Sequence, residues 1–240
     1  MLISIVVPIY NEEKYIKRIL LKINKIDDIK KEIILVDDGS SDQTRKIIEN
    51  ECKGLYQKLI PLEKNSGKGF ALKEGFKQVS GEIVIIQDAD LEYDPEDYTK
   101  LITPIIKSES KVVYGSRVLK GANRSRPKNI DTYIRMAANI FLTFLSNLLN
   151  KQNLTDAHTC YKVFDSVLLN EIELSENGFN FCPEFTAKIS KLGIKILEVP
   201  ISYNGRTHDE GKKISFIDGF RAIYAIVMYN IFYKRINNKK

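Results

Sequence analysis

With 240 residues, 43% of them hydrophobic and 28% charged, the chain can bury a sizeable core in one α/β domain and has the composition of a soluble globular protein. Its net charge of +6 is lopsided: eight Lys/Arg and three acids lie from Arg206 onward, which leaves the first 205 residues nearly neutral. With no basic stripe interleaved with aromatics, nucleic acid is excluded as a partner, and a basic tail near anionic lipid or phosphate is expected instead. Cys52, Cys160 and Cys182 lack CxxC or Cys/His spacing, which excludes a disulfide frame or zinc site and implies reduced thiols in a cytosolic setting. The first residues run straight into a strand pattern, so no signal peptide is expected.

In chain order, residues 2–9 form a β-branched run, and Asn11 is a plausible N-cap for a helix with Tyr15, Ile16, Ile19, Leu20 and Ile23 on one face. Residues 32–36 make a second strand that ends in Asp37-Asp38-Gly39-Ser40, with a helix following over 42–51. A third strand, 58–62, leads through Asn65-Ser66-Gly67-Lys68-Gly69 into a helix that turns Ala71, Leu72, Phe76 and Val79 inward. The fourth strand, 82–87, ends in Asp88-Ala89-Asp90-Leu91-Glu92. Alternating strands and helices predict a parallel, doubly wound sheet with ligands at the carboxyl ends of its strands. The polar clusters at 10–12, 37–40 and 88–92 fall at three such ends.

The second half is less regular. A helix is expected over 94–107, a strand over 111–114 closing on Gly115-Ser116-Arg117, and a Lys/Arg/Asn-rich loop over 120–129. Residues 133–149 make a helix with one narrow polar stripe (Arg135, Asn139, Thr143, Asn147 and then Asn150) on an otherwise apolar circumference. Two readings stay open for it: a buried core helix, or a helix against another subunit or a lipid surface. Residues 216–233 are similar. Their uninterrupted apolar stretch, 222–229, is far short of the roughly 20 residues of a membrane span. Followed by Lys234-Arg235 and Lys239-Lys240, this segment suits an interfacial helix with a basic anchor or a helix docked on the body.

Asp88, Asp90 and Glu92 alternate, so in an extended chain they share one face. Three convergent carboxylates repel one another unless a cation sits among them, and hard oxygen ligands suit Mg²⁺ or Mn²⁺ together with substrate phosphates. Taken alone, an Asp-x-Asp is also consistent with solvated acids at a strand end.

Pro8-Ile9-Tyr10-Asn11-Glu12, Val36-Asp37-Asp38-Gly39-Ser40 and Asp88-Ala89-Asp90, in this order, resemble family 2 glycosyltransferases of the GT-A fold. Asp90-Leu91-Glu92, Gly115-Ser116-Arg117, the segment 156–164 and Arg206…Lys212 are similar to the dolichyl-phosphate mannose and glucose synthases and their bacterial polyprenyl-phosphate relatives. The resemblance covers about residues 2–213. It implies a mainly parallel central sheet flanked by helices, in a catalytic domain at 1–213 with a nucleotide-binding half at 1–92 and an acceptor half at 93–213. Residues 214–240 would add an amphipathic helix and basic tail.

The resemblance also assigns roles. Pro8, Tyr10, Asn11, Glu12, Asp38, Gly39, Lys68, Gly69, Asp88 and Ala89 would bind the nucleotide of a UDP- or GDP-sugar. Asp88, Asp90 and Glu92 would face Mg²⁺ or Mn²⁺, with Asp90 the direct ligand and Glu92 at a position often Gln in the mannose synthases. Arg117, Arg135, Arg206 and Lys212 would hold the acceptor phosphate, so that Asp90 and Arg117 carry catalysis. Arg135 alone reads equally as surface charge, and Lys213 could replace Lys212. Cys160, Tyr161 and Lys162 stand where the mannose synthases carry Gly, Phe and Arg, which leaves the sugar open. The implied reaction is inverting, metal-assisted transfer of a hexose to a polyprenyl phosphate, by a protein peripheral at the cytoplasmic face of a membrane. Self-association is left open. The alternatives are a family 2 enzyme acting on a sugar hydroxyl, with Glu184 as its candidate base, and a non-catalytic nucleotide-sugar-binding protein.

Overall fold

The computed structural model describes residues 1–125, 130–206 and 216–232. Strands β1 (Ile3–Ile9), β2 (Lys31–Asp37), β3 (Lys58–Pro61) and β4 (Ile83–Ile86) are parallel neighbours and alternate with helices α1 (Ile16–Asn24), α2 (Thr44–Glu51) and α3 (Lys68–Phe76). Helix α4 (Tyr98–Ile106) follows a short 3₁₀ turn at Pro95–Asp97 and leads to β5 (Val112–Ser116). Next come β6 (Asn123–Arg124), α5 (Ile130–Asn150), β7 (Lys162–Asp165), α6 (Phe181–Lys191), β8 (Leu197–Pro200), β9 (Ser202–Tyr203) and α7 (Phe216–Val227). A π-helical segment, Met228–Phe232, extends α7.

The main sheet has the order β3-β2-β1-β4-β7-β5-β8, and β6 pairs with β9 beside it. Strand β1 lies between β2 and β4, so the chain reverses its direction of travel across the sheet there, and the crevice at its carboxyl end is the expected ligand position. Strand β7, which the apolar patterning does not signal, inserts antiparallel between β4 and β5. It brings the segment 156–161 to the same end of the sheet as the acids after β4.

Strand alternation builds two layers. Ile3, Ile5, Val7 and Ile9 of β1 join a core with α1, α2 and α4, while Val6 faces a second core with α3 and α6. Helix α1 is typical: Ile16, Ile19, Leu20 and Ile23 are all fully buried, each contributing about 1.5–3 kcal/mol. Asn11 is not its N-cap. It takes φ +52°, and its side-chain oxygen accepts the Ser41 N–H at 2.8 Å, stitching the β1 loop to the β2 loop.

Helix α5 resolves the first of the two open readings against a core helix. Its polar stripe is the buried side: Asn139 donates to Asp156, Thr143 Oγ1 accepts the Ala157 N–H, and Asn147 exchanges hydrogen bonds with Leu154. Part of its apolar circumference faces outward, with Phe144 at 64% and Leu148 at 65% exposure. Helix α7 packs on it through Leu142, Ala222 and Ile226, and itself exposes Phe220 (75%) and Tyr224 (66%). Among the described residues no helix is long and apolar enough to cross a membrane.

Candidate active site

Strand β4 stops at Ile86, so the alternation expected through Glu92 does not hold. Gln87 is buried and its amide oxygen accepts hydrogen bonds from the Tyr98 and Tyr161 hydroxyls at 2.7 and 2.6 Å. Leu91 then takes φ +62°, which folds 88–92 into a tight turn closed by the Glu92 N–H donating to Asp90 Oδ1 at 3.0 Å. The three acids therefore point to different partners. Asp88 pairs with the Lys68 ammonium, which also reaches Cys160 Sγ at 3.1 Å. Asp90 Oδ2 accepts from Arg206 Nη2 at 2.8 Å. Glu92 accepts from the Tyr203 hydroxyl at 2.8 Å and the Arg206 backbone N–H at 2.6 Å.

Electrostatics separates the first two acids. Burial by itself would raise both carboxyls. Lys68, the Cys160 hydrogen bond and Arg206 overcome it at Asp88, which lies below its ordinary range. At Asp90 burial, together with the neighbouring Asp88 and Glu92 charges, outweighs Arg206 and pushes the carboxyl up to about 7. Of the two, Asp90 is the acid short of positive charge. Among the described residues no three His, Cys, Asp or Glu side chains form a ready-made metal cage. Two neighbouring carboxylates, one of them in charge deficit, fit a divalent cation that takes its remaining ligands from phosphates and water.

The residues expected at the nucleotide divide into those that line a cavity and those that build its wall. Pro8, Tyr10, Glu12, Asp38, Lys68, Asp88, Ala89, Asp90 and Glu92 line a cavity of about 690 Å³. Asn11, Gly39 and Gly69 do not. Gly39, at φ +67°, has the Lys64 backbone where a Cβ would sit, and Gly69 is pressed on Glu176 O. The Asp38 carboxylate accepts the N–H groups of Ser66 and Gly67, both at 2.8 Å, and the Phe70 N–H is taken by Asn177 O. Around the start of α3, the N–H groups of Ser66, Gly67 and Phe70 are thus taken by the chain itself.

On the far side of the cavity Arg117 makes a fork to Asp156, with Nε–Oδ2 2.7 Å and Nη2–Oδ1 2.8 Å, while its backbone N–H also reaches Oδ2. Asn139 of α5 donates to the same carboxylate at 3.0 Å. Against burial, Arg117 and these hydrogen bonds hold Asp156 at about 2. The guanidinium stacks 5.0 Å from the Tyr203 ring. Arg135 also lines the cavity, as do Phe141, Leu142, Phe220, Ala222 and Ile223 of the α5–α7 pair. Arg206, expected at the acceptor, lines the same cavity and pairs with Asp90 and Glu12. Lys212 and Lys213 lie outside the described residues.

Residues 4–173 match the family model described as Glycosyl transferase family 2. The chain belongs to this family. An uncharacterized protein of Methanocaldococcus jannaschii is 28% identical over 96% of this chain and 93% of its own length. The UDP-N-acetylglucosamine–dolichyl-phosphate N-acetylglucosaminyltransferase of Methanococcus voltae is 30% identical, covering 95% of each chain. The dolichol-phosphate mannosyltransferase of Pyrococcus furiosus is 29% identical over 88% of this chain, which spans 59% of that longer protein. In structure, glucosyl-3-phosphoglycerate synthase from Mycobacterium tuberculosis, solved with Mn²⁺, UDP and glucosyl-3-phosphoglycerate, superposes with a TM-score of 0.72 at 19% identity, covering 95% of this chain and 79% of that one. The fold is GT-A, and the protein is a glycosyltransferase.

Three residues of the transferase's site have structural roles that were not assigned to them from the sequence. Asp156 anchors Arg117; its segment is part of the family pattern, but the pairing depends on β7 bringing 156 beside 117. Tyr203 links Arg117 to Glu92 and carries no patterned signal. Lys162, where the mannose synthases have Arg, is buried and donates to the carbonyls of Ala157 (3.1 Å) and Thr159 (2.7 Å), splinting the turn that presents His158 and Cys160. His158 borders the cavity as a neutral imidazole, held at about 4 by burial and by Lys162. Glu184 is fully buried, accepting from Ser175, Glu176 and Lys188.

Proposed function

We propose that this glycosyltransferase moves a hexose from a nucleoside diphosphate sugar to a polyprenyl phosphate, with inversion at the anomeric carbon and with a divalent cation bound at Asp88 and Asp90. One observation carries the reading: a single cavity runs from the acidic strand ends to the apolar α5–α7 pair. A substrate that is anionic at one end and a long hydrocarbon at the other fits both of its walls. The names of the Methanococcus and Pyrococcus relatives support the same acceptor class.

The chemistry follows from the charges. An oxygen of the acceptor phosphate forms a bond to the anomeric carbon as the bond to the nucleoside diphosphate breaks, and the electron pair leaves with the diphosphate. Held by Asp88 and Asp90, Mg²⁺ or Mn²⁺ would supply Lewis-acid stabilisation of that leaving group. A phosphate monoester, with a second pKa near ~6, is already an anion at neutral pH, so no side chain has to remove a proton. Arg117, held rigid by Asp156 and Tyr203, is placed to receive the acceptor phosphate and offset its repulsion from the donor. The sugar-hydroxyl alternative requires a carboxylate base, and Glu184, enclosed in its ion pair with Lys188, is not available for that role.

The outward apolar face of α5 and α7 supports a peripheral position on a membrane, with the cavity mouth at the lipid surface and the prenyl chain left in the bilayer. Incubation of the purified protein with Mn²⁺, a panel of nucleotide sugars and a polyprenyl phosphate should yield a lipid-linked sugar with one donor. Absence of such a product with every donor would overturn the proposal.

A further inference from the structure

We infer that Arg206 has two working positions: counter-ion to the donor-side carboxylates before the divalent cation arrives, and ligand to the acceptor phosphate afterwards. The inference rests on the reaction proposed above. Arg206 is where a metal's charge is needed. Its Nη2 donates to Asp90 Oδ2 at 2.8 Å, and Nη1 and Nη2 reach the two Glu12 oxygens at 3.0 and 3.2 Å. The guanidinium lies 5.3 Å from the Tyr15 ring, so one planar cation bridges the loop after β1 and the turn after β4.

A divalent cation and this guanidinium compete for the same Asp90 oxygen and repel each other across a partly buried site. Loading the cation therefore displaces the side chain. The backbone around it can stay in place, because the Asn204 N–H donates to Glu92 O at 2.9 Å and the Tyr203 hydroxyl to the Glu92 carboxylate. Tyr203 stacks on Arg117, and Arg206 lines the same cavity as Arg117 and Arg135. A guanidinium freed from Asp90 thus remains tethered beside the acceptor cations. Two consequences follow: donor with its cation binds before acceptor, and acceptor phosphate tightens cation binding by the same factor that the cation tightens acceptor binding.

The test is Mn²⁺ binding to the full chain, read from the EPR signal of free Mn²⁺, for the parent, Arg206→Gln and Arg206→Lys proteins, without nucleotide and with or without a short-chain prenyl phosphate. With no acceptor present, Arg206→Gln should bind Mn²⁺ roughly tenfold more tightly than the parent, within the usual scale of coupling between sites, and Arg206→Lys should stay near the parent. Prenyl phosphate should tighten Mn²⁺ binding to the parent and leave Arg206→Gln unmoved. Equal or weaker Mn²⁺ binding by an Arg206→Gln protein with the parent's circular dichroism and melting curve would make Arg206 a simple brace and overturn the inference. Should that variant fail to fold, an unchanged Mn²⁺ affinity of the parent on adding prenyl phosphate overturns it equally. A failure of the proposed reaction is separate: no glycolipid product would then form, while the acceptor-free Mn²⁺ comparison would still read the displacement.

Discussion

The acidic turn after β4 and the α5–α7 pair are the two unusual surfaces of this protein, and they break opposite rules. The turn buries charge: Asp88, Asp90 and Glu92 lie close together with Lys68 and Arg206 as their counter-ions. The helix pair exposes hydrocarbon, and turns its amides and hydroxyls inward onto the 154–157 segment. Neither arrangement favours an isolated soluble fold, since buried charge costs desolvation and exposed aromatic side chains forgo burial. Under the function proposed above, a cation and phosphates would meet the first and a lipid the second. Both surfaces border one cavity.

The comparison breaks most sharply at Asp90. Asp90→Asn should lower turnover by about 10²–10³-fold, the usual loss on removing one charge-stabilising group. Its melting temperature should hold or rise, because a buried excess negative charge is relieved. A stable variant with unimpaired turnover would remove the acidic turn from the chemistry.

Next in size is the anchor of Arg117. Asp156→Ala leaves a buried guanidinium unpaired and should cost about 3–5 kcal/mol in denaturant unfolding. The pH dependence has a definite sign. The Asp156 carboxyl is held at about 2, below its unfolded value of 3.8, so its contribution is complete above roughly pH 4 and is lost as pH falls through 2. In the Asp156→Asn protein that part of the acid unfolding should be missing.

A smaller effect is expected at the helix pair. Replacing exposed Phe144 and Tyr224 together by Ser should weaken sedimentation with anionic vesicles by about tenfold or more, at about 1.5–3 kcal/mol per fully buried aromatic. Turnover of a short, water-soluble prenyl phosphate should be retained, because neither residue lines the cavity. Equal vesicle binding by parent and variant would detach the apolar face from the membrane.

Glu92→Gln should have the smallest effect, a few-fold at most on Mn²⁺ affinity. Its carboxylate accepts from a tyrosine hydroxyl and a backbone N–H, and an amide oxygen can replace one of those contacts. A loss as large as that at Asp90 would make Glu92 a direct ligand after all.

Much of this was readable from local chemistry. Periodicity located the four parallel strands and α1–α4, because an apolar side chain buried on a strand or helix face repeats at a fixed spacing. The acids at strand ends were visible for the same reason: once the buried strand stops, the sequence changes character within one residue, as at Ile86-Gln87-Asp88. The orientation of α5 was not readable. A helix with a thin polar stripe looks alike whether that stripe meets water or protein, and only the docking of Asn139 on Asp156 and Asn147 on Leu154 shows that protein took it. The pairing of Arg117 with Asp156 was hidden as well, because it joins residues 39 apart through an antiparallel strand that no short-range pattern announces.

By itself, then, the amino-acid order determined the parallel first half of the sheet, the family and the placement of carboxylates at the crevice, since these depend on interactions within a few residues. Tertiary structure alone decided which cation faces which acid. It put Lys68 on Asp88, Arg206 on Asp90 and Arg117 on Asp156, across separations of 20, 116 and 39 residues. Charge acts through space with little regard for chain distance, so the partner of a buried ion is set by the fold that surrounds it.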